Sequence, residues 1–407
     1  ALKEGGRGAS GAAGGRRMRN GLVVAEIGLA MLLLLGAGLM VRTLKQLNRV
    51  DAGFRPEGIL TAELGLPAAK YGEPHQRSAF YARLLEEAGA IPGVKAAGAV
   101  SDLPLSGGGN YLSFVVEGRP PVPDGVTVDA IATVATPEWF GAMGIPLVRG
   151  RLFSGDDGPG RPKTLVINEA MAARHFPGED PIGRKISFGG DGADSWITIV
   201  GVVGDTRNVS LDEPSYPQAY APYAQIPQRS MVVTLKTDGD PADRAGAFRA
   251  LVRRLDPDQP VSGVSTMQTR ITDSVAQRRF GMMLLSLFAG LALVLASVGI
   301  YGVMSYTVSL RTHEIGIRMA LGARGGDVLG MLMRTGLALG LAGVAAGLLL
   351  AFPLTRTMAG FLYGVSPTDP LTWSLVAAAL VGIALAASYV PARRATRVDP
   401  NVALRCE

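Results

Sequence analysis

The residues best equipped for chemistry in this sequence are few, and their spacing excludes most of what they could do. His313-Glu314 begins as a zinc-hydrolase pair begins, with an imidazole for the metal and a carboxylate for general-base work. Ile317 then stands where the second histidine ligand would fall, one helical turn on. The other histidines, His75 and His175, are remote in sequence and read as surface residues. No serine sits in a G-x-S-x-G frame, and no lysine follows a glycine, so these residues hold no G-x-x-x-x-G-K-[ST] loop to cradle phosphates. The single cysteine, Cys406, has no partner in the sequence for a disulfide or a thiolate metal site. No catalytic, metal or cofactor-binding residue is assigned, and ATP energy, if used, has to come through another subunit.

Other side chains stand out for where they lie. Glu26 is a carboxylate inside an apolar run, where an unpaired charge costs several kcal/mol. It is either a proton- or substrate-linked site or an interfacial acid paired with a basic neighbour such as Arg334. Gly336, Gly340, Gly343 and Gly347 recur at spacings that place them on one helix face, and such a strip lets a second helix approach closely in lipid. Its occupant is either a helix across a dimer or half-to-half interface or a helix of the same chain. Gly36, Gly38, Gly299 and Gly302 suggest further close approaches. Tyr216, Tyr220 and Tyr223 either line a binding surface or pack over loops. Glu314, Ile315, Ile317 and Arg318 combine an apolar pair with opposite charges, a pattern that suits a small protein interface.

The elements that must position these residues are legible from hydropathy. A bilayer core of about 30 Å requires roughly 20 apolar residues in a helix, and four runs qualify: 21–41, 281–308, 329–352 and 371–390. The 407 residues are 48% hydrophobic, with positive mean hydropathy, so the chain is part membrane and part globular. The +6 formal charge is not gathered into a basic patch with interleaved aromatics, so nucleic acid is not an expected partner. Basic residues cluster instead in short segments beside the spans: Lys3, Arg7, Arg16, Arg17 and Arg19 before the first, Arg311, Arg318 and Arg324 between the second and third, and Arg393, Arg394, Arg397 and Arg405 after the fourth. The loop between the third and fourth holds only Arg356. The positive-inside rule then puts both termini and the 309–328 link in the cytoplasm and residues 42–280 outside. Residues 1–20 read as a flexible linker, 391–407 as a cytoplasmic tail, and Glu314–Ala323 as a short helix, with Asp327 placed to cap the next one.

At this link a family resemblance becomes explicit. His313-Glu314-Ile315-Gly316-Ile317-Arg318-Met319-Ala320-Leu321-Gly322-Ala323 resembles the (R/H)-E-I-G-I-R-x-A-L-G-A signature of FtsX-like ABC permeases of the macrolide-exporter and lipoprotein-release type. Pro391-Ala392-Arg393-Arg394-Ala395, with Asp399-Pro400 and Ala403-Leu404-Arg405, is similar to the close of the same domain. The stretch from Thr136-Pro137-Glu138-Trp139-Phe140 to Val166-Ile167-Asn168-Glu169 resembles the MacB-like periplasmic core of these permeases. The resemblance implies four spanning helices with an α+β extracytoplasmic domain inserted between spans 1 and 2. It further implies a bacterial inner-membrane permease that transmits ATP-driven motion from a cytoplasmic ABC ATPase docked on 309–328 to that outer domain. A second permease copy is an implied partner, and Ala1-Leu2-Lys3-Glu4, echoing Ala403-Leu404-Arg405, resembles the junction of permeases duplicated in tandem. The other reading is a membrane signalling protein whose outer domain senses a ligand or controls an envelope enzyme.

Within 42–280, alternation predicts strands at Ile59–Leu66, Val94–Val100, Tyr111–Glu117, Val128–Thr133, Thr164–Asn168, Trp196–Val203, Gln218–Pro222 and Met231–Thr237. Helical spacing predicts Pro74–Ala90, Glu138–Met143, Glu169–His175 and Ala242–Leu255. Proline- and glycine-rich turns divide the block into at least two lobes, and a basic amphipathic helix over 266–280 is expected to form a rigid stalk.

Overall fold

A computed structural model describes residues 8–120, 128–189, 196–321 and 323–396. The chain divides into two compact units: Val50–Ala276, and Ala1–Arg49 together with Gln277–Glu407. Helix α1 spans Gly8–Leu47. The flexible linker expected up to residue 20 is therefore corrected from Gly8 onward. Once the apolar run has nucleated a helix, extending it through residues such as Ala9, Ala12 and Ala13 costs little.

The unit Val50–Ala276 opens with β1 (Ile59–Gly65), α2 (Pro74–Gly89), β2 (Val94–Val100), β3 (Tyr111–Ser113), β4 (Val115–Val116), β5 (Asp129–Ala135), α3 (Pro137–Met143) and β6 (Leu147–Gly150). It continues with β7 (Thr164–Asn168), α4 (Glu169–His175), β8 (Lys185–Ser187), β9 (Ile197–Val203), β10 (Gln218–Pro222), β11 (Ser230–Thr237), α5 (Ala245–Leu255), β12 (Ser262–Thr266) and α6 (Met267–Ser274). The described strands form one sheet in the order β12-β1-β11-β2-β5-β10-β7-β9-β8-β4, with β3 also on β5 and β6 on β9. The two expected lobes are two cores along this shared sheet. Leu64, Tyr81, Leu84, Val233, Phe248 and Val252 fill the first, and Leu165, Ile167, Met171, Phe176, Ile186 and Ile199 fill the second. Val100↔Ala135 is the pairing that carries the sheet from β2 to β5.

Local chemistry sets the elements that matter below. Asn168 ends β7 and caps α4, its Oδ1 accepting from Met171 N at 2.9 Å and from Gln218 N at 2.8 Å. After β6, Arg151 meets the buried Asp157 carboxylate through both guanidinium nitrogens at 2.6 and 2.9 Å. That fork holds the Asp157 carboxyl down at about 2 and pins the turn that follows β6.

The stalk expected over 266–280 is not a single helix. α6 stops at Ser274, and Val275 leaves helical geometry at φ −105° before the next helix begins. Arg270 is drawn back to β1 instead, donating from Nε to Thr61 Oγ1 at 3.0 Å and from Nη2 to Glu63 Oε1 at 2.7 Å.

The second unit adds α7 (Ala276–Leu310), α8 (Thr312–Ala320), α9 (Gly325–Thr357) and α10 (Pro370–Ala395) to α1. Helices α1, α7, α9 and α10 are long and apolar enough to cross a membrane. The capping expected of Asp327 takes the form of its carboxylate accepting from Arg324 N at 3.1 Å, with Arg324 itself at the N-cap. At the start of α10, Asp369 accepts from Thr372 N at 2.8 Å and pairs with Arg42 of α1.

The glycine strip of α9 is covered by the chain's own helices α1 and α10. A Cβ on Gly343 would come within 2.5 Å of Ile27, and one on Gly347 within 2.6 Å of Met31, both on α1. On the α10 side, Gly336 abuts Ser388 and Gly340 abuts Ala384, at 2.1 and 2.9 Å from the position a Cβ would take. Gly28 of α1, which the sequence did not single out, faces the backbone of Gly343 and Gly347. By contrast α7 buries a narrow stripe of Ala289, Ala292, Ala296, Ile300 and Met304. Its remaining surface exposes Leu287, Leu291, Val294, Leu295 and Val298, which suits contact with acyl chains.

Candidate functional site: the helix between the second and third spans

Three features make the 309–328 link a presented helix. First, the chain breaks cleanly after α7: Arg311 sits outside helical geometry at φ −106°, and Thr312 Oγ1 donates to the carbonyls of Val308 and Ser309, both at 3.0 Å. Second, α8 is anchored by one side. Ile315 is only 2% exposed and shares an apolar cluster with Val328, Leu332, Ala392 and Ala395, while Gly316 is buried and Met319 half-buried beside it. Third, the opposite side is exposed to solvent. Residues 313, 314, 317, 318 and 321 recur three and four apart, hence on one helix face, and all five are exposed.

That face has the composition of a docking surface. Ile317 is 40% exposed and Leu321 83%, one helical turn apart. Arg318 lies beside them, donating to Glu314 Oε1 at 2.6 Å and reaching Met331 Sδ at 2.9 Å. An exposed i,i+4 pair of this kind contributes only about 0.3–0.5 kcal/mol, so the charges order the surface more than they stabilise it. Of the four residues expected at a docking surface, Glu314, Ile317 and Arg318 lie on this exposed side. Ile315 is corrected to an anchor, because a nine-residue helix lying on the bundle must turn one side inward. Leu321 was missed, although its i+4 spacing from Ile317 would have revealed it.

Other predicted site residues disperse. Glu26 does not meet Arg334, which is exposed on α9. The face of α1 toward α9 is carried by Ile27, Gly28 and Met31, so Glu26, one step round the helix, turns to α7. There its Oε2, which has no hydrogen-bond partner among the described residues, occupies the space a side chain on Gly299 would need. Gly36 lies near Leu285 and Gly38 against Thr372, whereas Gly302 faces open space.

The tyrosines pack rather than line a surface. Tyr220 is fully buried and donates to Gln218 Oε1 at 2.8 Å; Tyr223 is buried, and Tyr216 stacks edge-on with Tyr111 at 5.3 Å. Burial pushes the hydroxyls of Tyr220 and Tyr223 well above the usual phenol range. Among the described residues, no group of three His, Cys, Asp or Glu side chains is placed to hold a metal. His175 instead packs against Phe114 at 5.0 Å, and desolvation lowers its imidazole below the ordinary value.

Residues 21–251 match the MacB-like periplasmic core domain family, and residues 286–400 match the FtsX-like permease C-terminal family. The macrolide export ATP-binding/permease protein MacB of Bartonella quintana is 28% identical over 294 residues, covering 69% of this chain and 43% of that protein. A probable syringafactin export ATP-binding/permease protein, SyfD, of Pseudomonas syringae pv. tomato is 29% identical over 297 residues, covering 69% of this chain and 42% of that one. The periplasmic region of MacB from Actinobacillus actinomycetemcomitans aligns over 57% of this chain and 98% of its own, at 16% identity and a TM-score of 0.38. The chain spans less than half the length of the curated relatives it matches.

Proposed function

We propose, from the premise that this chain belongs to the MacB-like, FtsX-type ABC transporter permeases, that it transmits ATP-driven motion from a separate cytoplasmic ATPase to its Val50–Ala276 domain. The work done is export or extraction of a substrate at the outer face. The single observation that carries this reading is the exposed side of α8, where Ile317 and Leu321 stand beside the Glu314–Arg318 pair on a helix that Ile315 fixes to the bundle. A docking partner can grip that side and move the bundle through it, since α8 follows α7 directly and precedes α9. The relatives' names join ATP binding to a permease in one protein, which supports an ATPase as the partner.

Sidedness follows from the clustering of arginines in the short segments flanking the spans. It places both ends of the described bundle inside and the Val50–Ala276 domain outside, in a bacterial inner membrane. Cysteine labelling tests this. In a Cys406→Ser background, a cysteine at the exposed Ser262 is expected to react with a membrane-impermeant maleimide in spheroplasts, and one at the exposed Ser309 to react only after the membrane is opened. The reverse pattern contradicts the assignment.

A further inference from the structure

We infer that the domain carries, between β6 and α4, a cleft that receives a basic side chain from an extended segment of another polypeptide. The cleft has a volume of about 650 Å³ and is open along one side. Its apolar surface includes Val148 of β6, Val202 of β9 and Phe176 at the end of α4, and its charged groups include Arg149, Glu169 and Asp180. Among the described residues none of these three is held in an ion pair, whereas nearby Glu179 is engaged by Arg119 at 3.6 Å and Arg184 at 3.1 Å. Among the described residues Asp180 accepts only the Ile182 N–H, at 3.1 Å. Two uncommitted carboxylates over an apolar floor complement a Lys or Arg side chain, whose methylene stem can lie on that floor while its head meets the acids.

Two observations favour a polypeptide over a small amine. A small-molecule pocket normally encloses most of its ligand, and this cleft does not. Its apolar surface also continues outside, through Leu147 and Val148, which are 43% and 44% exposed. β6 pairs only with β9 among the described strands, and its register shifts between Leu147 and Arg149, a bulge that re-aims Val148. The body of an extended segment would cover that rim while one basic side chain enters.

The test uses the full chain in lipid nanodiscs and a panel of end-blocked, fluorescently labelled hexapeptides, each with one lysine or arginine between leucines and valines. At least one member is expected to bind. Its affinity should fall about tenfold or more in the double variant Glu169→Gln with Asp180→Asn. It should fall similarly when norleucine replaces the basic residue of the peptide, and stay unchanged in the exposed control Glu213→Gln. An unaltered circular dichroism spectrum for each variant separates lost binding from lost fold. Absence of binding by every peptide at millimolar concentration overturns the inference, as does equal binding to the double variant. Displacement of a bound peptide by n-octylamine also overturns it, in favour of a small-amine site.

Discussion

Replacing Ile317 with Asp is expected to abolish stimulation of a partner ATPase while leaving the unit of four spanning helices folded; replacing Ile315 with Asp is expected to destroy the fold itself. The two residues are two positions apart on α8 and lie on opposite sides of it. Ile317 is 40% exposed, so a charge there costs the isolated protein little, roughly 0.5 kcal/mol or less. In a docked complex the same charge is buried against apolar surface, and losing an anchor of this type costs at least about 2 kcal/mol of binding. Ile315 is 2% exposed and packed among Val328, Leu332, Ala392 and Ala395, so an aspartate there buries a carboxylate without a partner, at a cost of more than about 3 kcal/mol. The measurements are ATP turnover with and without the permease, and the fraction of each variant that elutes as a monodisperse species from detergent. Full stimulation by the Ile317→Asp protein would reduce α8 to a solvated linker and strengthen the signalling reading.

The second large effect concerns the contact between α1 and α9. Substituting leucine at both Gly343 and Gly347 is expected to force these helices apart, because even a Cβ at either position would lie 2.5–2.6 Å from Ile27 or Met31 of α1. Overpacking of this kind costs about 1–3 kcal/mol per site, and the thermal midpoint in detergent should drop by roughly 10 °C or more. Gly302→Leu is the matched control, since nothing lies within 4 Å of its Cβ position, and it should leave the midpoint almost unchanged. If Gly343 and Gly347 instead served contact with a second copy, the double variant would alter assembly size with an unchanged midpoint.

What could be read beforehand, and what could not, divides on the range of the interactions involved. The spans were visible because a run such as 329–352 announces itself by length alone, and β10 was placed from Gln218 to Pro222 because apolar positions and a terminal proline mark it locally. β6, β8 and β12 escaped: Leu147–Gly150 buries none of its four residues, Lys185–Ser187 is three residues long, and Ser262–Thr266 has a single large apolar side chain. Each is a strand only because a neighbour supplies its hydrogen bonds. The broken stalk is a similar case, since Arg270 had helical neighbours in sequence but found Thr61 and Glu63 more than 200 residues away. At the candidate site, the residue types of α8 were legible and its rotation was not. Which of Ile315 and Ile317 turns inward is decided by Val328 of α9 and Ala392 of α10, whose proximity no local pattern encodes.

If an ATPase grips the exposed side of α8, site-specific photo-crosslinking in native membranes will capture it there. A photoreactive benzophenone amino acid placed at Leu321, which caps the C-terminus of α8 and is 83% exposed, is expected to yield one dominant adduct. Mass spectrometry of that adduct should identify a polypeptide bearing a phosphate-binding G-x-x-x-x-G-K-[ST] loop. The same probe at Ile315 should give adducts only within this chain. Capture of lipid alone at Leu321, or of a polypeptide with no nucleotide-binding loop, would contradict ATPase docking on α8.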